Sequence, residues 1–126
     1  MDRADSVKIT IPLTPVTKKN HGRIVQVHGK PRLLPSKQFE AYQDAAGWYL
    51  SPAGISWPVN VRCEFYMATR RIVDLAGLLQ AVDDVLVHYG VLVDDNSRIV
   101  ASHDGSRVLY DKDNPRTEIE ITGYGI

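Results

Sequence analysis

The chain has 126 residues, 15 Lys or Arg against 15 Asp or Glu, and 44% hydrophobic residues, which suits one domain (core about 7–122) with its own buried centre. A single cysteine, Cys63, excludes an intramolecular disulfide and fits a reducing compartment. No apolar run nears the roughly 20 residues of a membrane span, and Met1 to Ser6 has no signal pattern, so a soluble, cytoplasmic protein with no membrane partner is expected.

Net charge is zero, yet the charges are unevenly spread. From Ser6 to Lys37 there are seven basic residues (Lys8, Lys18, Lys19, Arg23, Lys30, Arg32, Lys37) and no acid. Such asymmetry suits a polyanion-facing surface, or a solvated loop face balanced elsewhere in three dimensions.

The elements follow in chain order. Val7, Ile9, Ile11 and Leu13 alternate with polar residues, the period of a half-buried strand, and Pro12 and Pro15 end it. Thr17 to Gly22 reads as a basic loop. Ile24–Val27, His28-Gly29-Lys30 and Arg32–Leu34 suggest a small hairpin. Ser36 is placed as the N-cap of a helix whose Phe39, Tyr42, Ala46 and Tyr49 fall on one side. Gly47 should weaken that helix by ~1 kcal/mol relative to Ala. Val59, Val61, Cys63, Phe65 and Met67 alternate with Asn60, Arg62, Glu64 and Tyr66, which makes a strand with Cys63 as a buried structural thiol.

A second helix is predicted from about Asp74 to Tyr89. At 100° per residue, Val85, Leu78, Tyr89, Val82, Leu75, Leu86 and Leu79 fill one apolar sector. The complementary edge carries Asp74, Gly77, Ala81, Asp84 and His88, with Asp83-Asp84 readable as solvated surface. Asp74 suits the positive end of the helix dipole, and Gly90 suits the C′ position. Asp94-Asp95-Asn96-Ser97 is a turn signature. Ile99–Ser102, Val108–Tyr110 and Thr117–Thr122 read as later strands. The order is that of an α+β domain with a mixed or mostly antiparallel sheet covered by two main helices.

From Ile72 to Ser97 there are five aspartates and no Lys or Arg. Carboxylates gathered without counter-charges repel, raise one another's pKa, or bind a cation. Asp74 before the helix and Asp94 and Asp95 after it could supply oxygen ligands to a divalent metal that cleaves phosphodiesters. A helix of about 16 residues spans roughly 24 Å, so Asp95 must come back along the helix to approach Asp74, within one subunit or across a dimer.

The sequence of features is a strand ending near Met67, Arg70-Arg71, Asp74, a Leu-rich helix containing Asp84, Gly90, then Asp94-Asp95. It resembles the RusA family of Holliday-junction resolvases, small nucleases common in phages and prophages. The opening strand with Pro12, Pro15 and Lys18-Lys19-Asn20 resembles that family's first segment, and the likeness covers roughly residues 7 to 122.

The resemblance implies a RusA-like α+β fold and a homodimer that binds branched DNA, a four-way junction, and cuts it with magnesium, with manganese as a substitute. It implies Asp74 and Asp95 as catalytic residues, and Asp74, Asp95, Asp94 and Asp84 as the candidate metal ligands. Lys18, Lys19, Asn20, Arg23, Arg70 and Arg71 are the candidate DNA contacts. The family's helix usually opens Asp-x-Asp-Asn-Leu with a Lys beyond. Here Ala76, Gly77 and Gln80 stand where the second Asp, the Asn and the Lys are expected. Those departures motivate a second reading, a junction-binding protein that does not cut. A third is a dimeric structural or interaction domain whose acids are merely solvated. Cutting of a four-way junction separates the first from both. Junction preference without cutting separates the second from the third.

Overall fold

The structure is a computed structural model that describes residues 5–18, 23–34 and 36–124, with Arg23 and Leu33 described for their backbone alone. In order, β1 (Val7–Ile11), the hairpin β2 (Arg23–Val27) and β3 (Lys30–Leu34), and α1 (Lys37–Ala46) precede a 3-10 turn at Gly47–Tyr49. Then come β4 (Val59–Met67), α2 (Leu75–His88), β5 (Val100–Ser102), β6 (Arg107–Tyr110) and β7 (Arg116–Gly123).

β7 lies between β1 and β4 and runs antiparallel to both. The other edge of β4 takes β5 and then β6, both parallel to it. The parallel pairing follows from the crossover, because α2 carries the chain back to the start of the sheet before β5 begins. The fold is the expected α+β arrangement, and the sheet is mixed.

Alternation sets the faces. Val59, Val61, Cys63 and Phe65 of β4 and Thr117, Ile119 and Ile121 of β7 are buried beneath the helices. Phe39, Tyr42 and Ala46 of α1 and Leu78, Val82, Val85 and Leu86 of α2 complete the core. Each such fully buried large apolar side chain contributes roughly 1.5–3 kcal/mol. The opposite sheet face is charged: Arg62 Nη1 lies 3.2 Å from Glu64 Oε1, and Arg107 Nη2 2.9 Å from Glu64 Oε2. Burial pushes the Cys63 thiol well up, which fits an inert core residue.

Ser36 caps α1 as expected, its Oγ accepting from Phe39 N at 3.1 Å. The helix stops at Ala46, so Tyr49 falls beyond it and is 46% exposed rather than on the buried side. The reading of Gly47 is also corrected. A Cβ there would lie 2.6 Å from Cζ of Tyr89, so glycine is required by close packing rather than tolerated at a helical cost. Tyr89 is held in that position by its hydroxyl, which donates to the Gln43 carbonyl at 2.7 Å.

β5 and β6 leave a gap along β4, and side chains fill it. Asn60 Oδ1 accepts from Asp104 N at 2.7 Å and from Ser102 Oγ at 2.5 Å, and Ser106 Oγ accepts from Cys63 N at 3.0 Å. Gly105, at φ 86°, turns the chain where a Cβ would meet Arg62 Cδ at 2.6 Å. This bridging turn carries His103 toward α2.

Candidate active site

α2 organises the acids. Asp74 is its N-cap, with Oδ1 accepting from Ala76 N at 3.2 Å. Gly77, one turn on, is buried against its neighbours. A Cβ there would stand 3.2 Å from both Asp74 Oδ2 and Thr17 Cγ2. The loop after β1 therefore packs against the helix edge at Gly77. That loop continues to Lys18, whose Nζ lies 2.7 Å from Asp84 Oδ2. The geometry is a close ion contact, outside the directional range of a hydrogen bond. Lys18 also sits 6.0 Å from the Phe39 ring centroid. Asp74 and Asp84 thus share one helix edge, about 15 Å apart along the axis at 1.5 Å per residue.

The chain leaves α2 through Gly90 at φ 74° and reaches the second acidic pair. Asp94 organises that turn. Its Oδ1 accepts from Asp95 N at 2.8 Å and its Oδ2 from Asn96 Nδ2 at 2.9 Å. These bonds hold its carboxyl below the usual carboxylate range. Asn96 Oδ1 then accepts from Arg98 N at 2.9 Å. Asp94 and Asp95 are both exposed.

The expectation that Asp83-Asp84 is solvated surface fails at Asp83, which is only 8% exposed. His103 Nε2 lies 2.9 Å from its Oδ2 and 3.1 Å from its Oδ1. Desolvation pushes the Asp83 carboxyl up; His103 opposes that rise, while the charges of Asp95 and Asp84 add to it. His103 is itself shifted upward, chiefly by its bond to Asp83. The charge of Asp95 is thus felt at Asp83, in the second half of α2.

This pair escaped the sequence reading, although a signal existed. On the α2 wheel, Asp83 falls between Leu79 and Leu86 on one side and Ala76 and Val87 on the other. An acid flanked by apolar residues on both sides is buried and needs a partner.

The candidate cationic surface is dispersed. Arg70 stacks on Tyr110, its Cζ 4.0 Å from the ring centroid, and Arg71 is exposed beside it. Lys18 faces Asp84. Lys19 and Asn20 lie outside the described residues, and the side chain of Arg23 does as well.

The carboxylates are the hard oxygen donors that magnesium and manganese prefer. Among the described residues no group of three or more His, Cys, Asp or Glu is arranged to hold a metal. Magnesium is commonly bound by one or two carboxylates with waters and substrate phosphates. The donor set at Asp74 and Asp95 therefore fits such an ion in kind. No helix among the described residues is long and apolar enough to cross a membrane.

The α+β frame thus carries acids on one edge of α2 and in the turn that follows it. The family model for Endodeoxyribonuclease RusA matches residues 12–122, and the chain belongs to the RusA family. It is thereby an endodeoxyribonuclease-family protein, related to resolvases of Holliday junctions. No curated protein matches the chain.

Proposed function

We propose that the chain is a divalent-metal-dependent endonuclease that resolves four-way DNA junctions as a homodimer, in recombination or repair, and derives from a phage or prophage. The observation that carries this reading is the family match across residues 12–122. Asp74, at the head of α2, and Asp95, in the turn that follows it, are proposed to hold the ion, with Asp94 and Asp84 as further ligands. Magnesium, or manganese in its place, would lower the pKa of a bound water and offset charge on the phosphate.

The chain's own residues do the rest. Asp94 bonds Asp95 N and Asn96, which fixes the turn that presents Asp95. The N-cap bond fixes Asp74 at the helix start. Lys18, Lys19, Asn20, Arg23, Arg70 and Arg71 bind phosphates and give salt-dependent affinity with little sequence preference. Lys18 holds its cation at the acidic edge, close to where Gln80 replaces the family's lysine.

A second reading, junction binding without cutting, is favoured by Ala76 and Gln80 and by the Lys18–Asp84 ion pair, which leaves Asp84 already partnered. A mobile four-way junction incubated with Mg²⁺ or Mn²⁺, resolved on native and denaturing gels, decides between them. Paired nicks support the nuclease. A shifted band without nicks in either metal supports the binder, and neither result leaves only the structural domain.

A further inference from the structure

Beyond Arg23 at its first position, the β2–β3 hairpin has no part in the site above. Its strands pair with each other as a separate two-stranded sheet, and none of its described side chains joins the core. An isolated hairpin is marginal in water, so a ribbon outside the core gains little from folding alone. Its turn is nevertheless well built. His28 at φ 53° and Gly29 at φ 76° form a two-residue loop with both central residues left-handed, the geometry that matches strand twist.

The register sorts its side chains. Val25 pairs with Arg32 and Val27 with Lys30, while Ile24, Gln26 and Pro31 occupy the alternate positions. Because alternate residues point to opposite faces, Lys30 and Arg32 share one face with Val25 and Val27. Both cations are exposed, and the segment from Ser6 to Lys37 that holds them contains no acid. Residues two apart on a strand stand ~6.7 Å from each other, a spacing close to that of neighbouring phosphates on one DNA strand. A two-stranded ribbon is also of a width that the roughly 12 Å major groove admits.

We infer that this hairpin is a basic ribbon whose Lys30–Arg32 face grips the phosphate backbone of a duplex DNA arm. A second copy of the chain fits that face less well, since identical ribbons would bring cation against cation. The inference rests on the reading that the chain's partner is DNA. It adds two phosphate contacts to those proposed above.

The test uses the full chain carrying Lys30→Ala with Arg32→Ala, and fluorescence anisotropy on a linear duplex and a four-way junction across salt. Each lost phosphate contact lowers the slope of log affinity against log salt by about 0.9, so the double variant should lose about 1.8 on both DNAs. At 0.1 M salt its affinity should fall at least about tenfold on both, leaving the preference for the junction unchanged. Ile24→Asn, on the other face, should keep the wild-type slope. An unchanged slope in the double variant, with native circular dichroism, overturns the inference. So does an unchanged slope accompanied by dimer dissociation in sedimentation, which would give the face to a second copy. Failure of the nuclease reading looks different: the wild type then cuts no junction, while the slope loss on linear duplex still occurs.

Discussion

Replacing His103 with Ala removes the only cation within hydrogen-bond distance of Asp83 among the described residues, and Asp83 has just 11% of its side chain exposed. The stranded carboxyl then has two options. It can stay ionised, where breaking a buried pair costs about 3–5 kcal/mol. It can instead protonate, which at pH 6.5 costs about 3.5 kcal/mol, from 1.36 kcal/mol per unit above a reference near 3.9. The cheaper route sets the ceiling. Part of that cost already exists in the wild type, because burial raises Asp83 even beside His103. His103 is also about a quarter exposed, so water enters the space it leaves. A net loss of about 2 kcal/mol at pH 6.5 is expected.

The pH dependence follows from the two directions of shift. His103 has its pKa raised on folding, so its stabilisation is complete below about 6.5 and is lost as pH rises through the folded value. Asp83 is also raised, so its penalty is absent below about 3.9 and complete above its folded value. The pair therefore matters most between those two folded values. Urea unfolding of wild type and His103→Ala at pH 6.5 and pH 4 should give a difference of about 2 kcal/mol at the higher pH and under about 1 kcal/mol at the lower. Equal losses at both pH values, or a loss under about 0.5 kcal/mol at pH 6.5, would refute the pairing.

Three further outcomes are expected. Gly47→Ala should destabilise by about 1–3 kcal/mol, because its Cβ meets the Tyr89 ring, whereas helix propensity alone predicts a gain; urea midpoints read the sign. Ser36→Ala should cost about 1 kcal/mol by removing the cap from Phe39 N, measured the same way. Lys18→Ala should cost under about 1 kcal/mol, since the pair with Asp84 is partly exposed, and should weaken junction binding more at low salt than at high salt in a gel-shift titration.

Much of the frame was legible because hydrophobic period is a local signal. β4 alternates over nine residues with its inward side chains buried, and the apolar sector of α2 lies where the wheel put it. The cap at Ser36 and the turn at Asp94 were legible for the same reason, since each is a short-range hydrogen bond, whereas Asp74 reads in the sequence as an acid at the helix dipole and the structure makes it the cap. Partners were not legible. Period 2 gives the faces of a strand but not its neighbours, so the parallel placement of β5 and β6 on one edge of β4 came only with the structure. Tyr89 closing on Gly47 and His103 reaching Asp83 are contacts between residues far apart in sequence, and no local pattern encodes them. Asp83 was half-legible: the wheel shows apolar residues on either side of it, but not the histidine that answers its charge.

Asp74 is the cap of α2 and the proposed metal ligand, and the choice of substitution separates the two roles. Asn caps a helix about as well as Asp does, so Asp74→Asn should keep the fold while halving the candidate carboxylate pair. The most direct measurement compares wild type, Asp74→Asn and Asp95→Asn for cutting and binding of a mobile four-way junction in Mg²⁺. Paired nicks from the wild type, with both variants failing to cut yet binding at least as tightly, is the predicted result. Wild-type rates of cutting from both variants would contradict it.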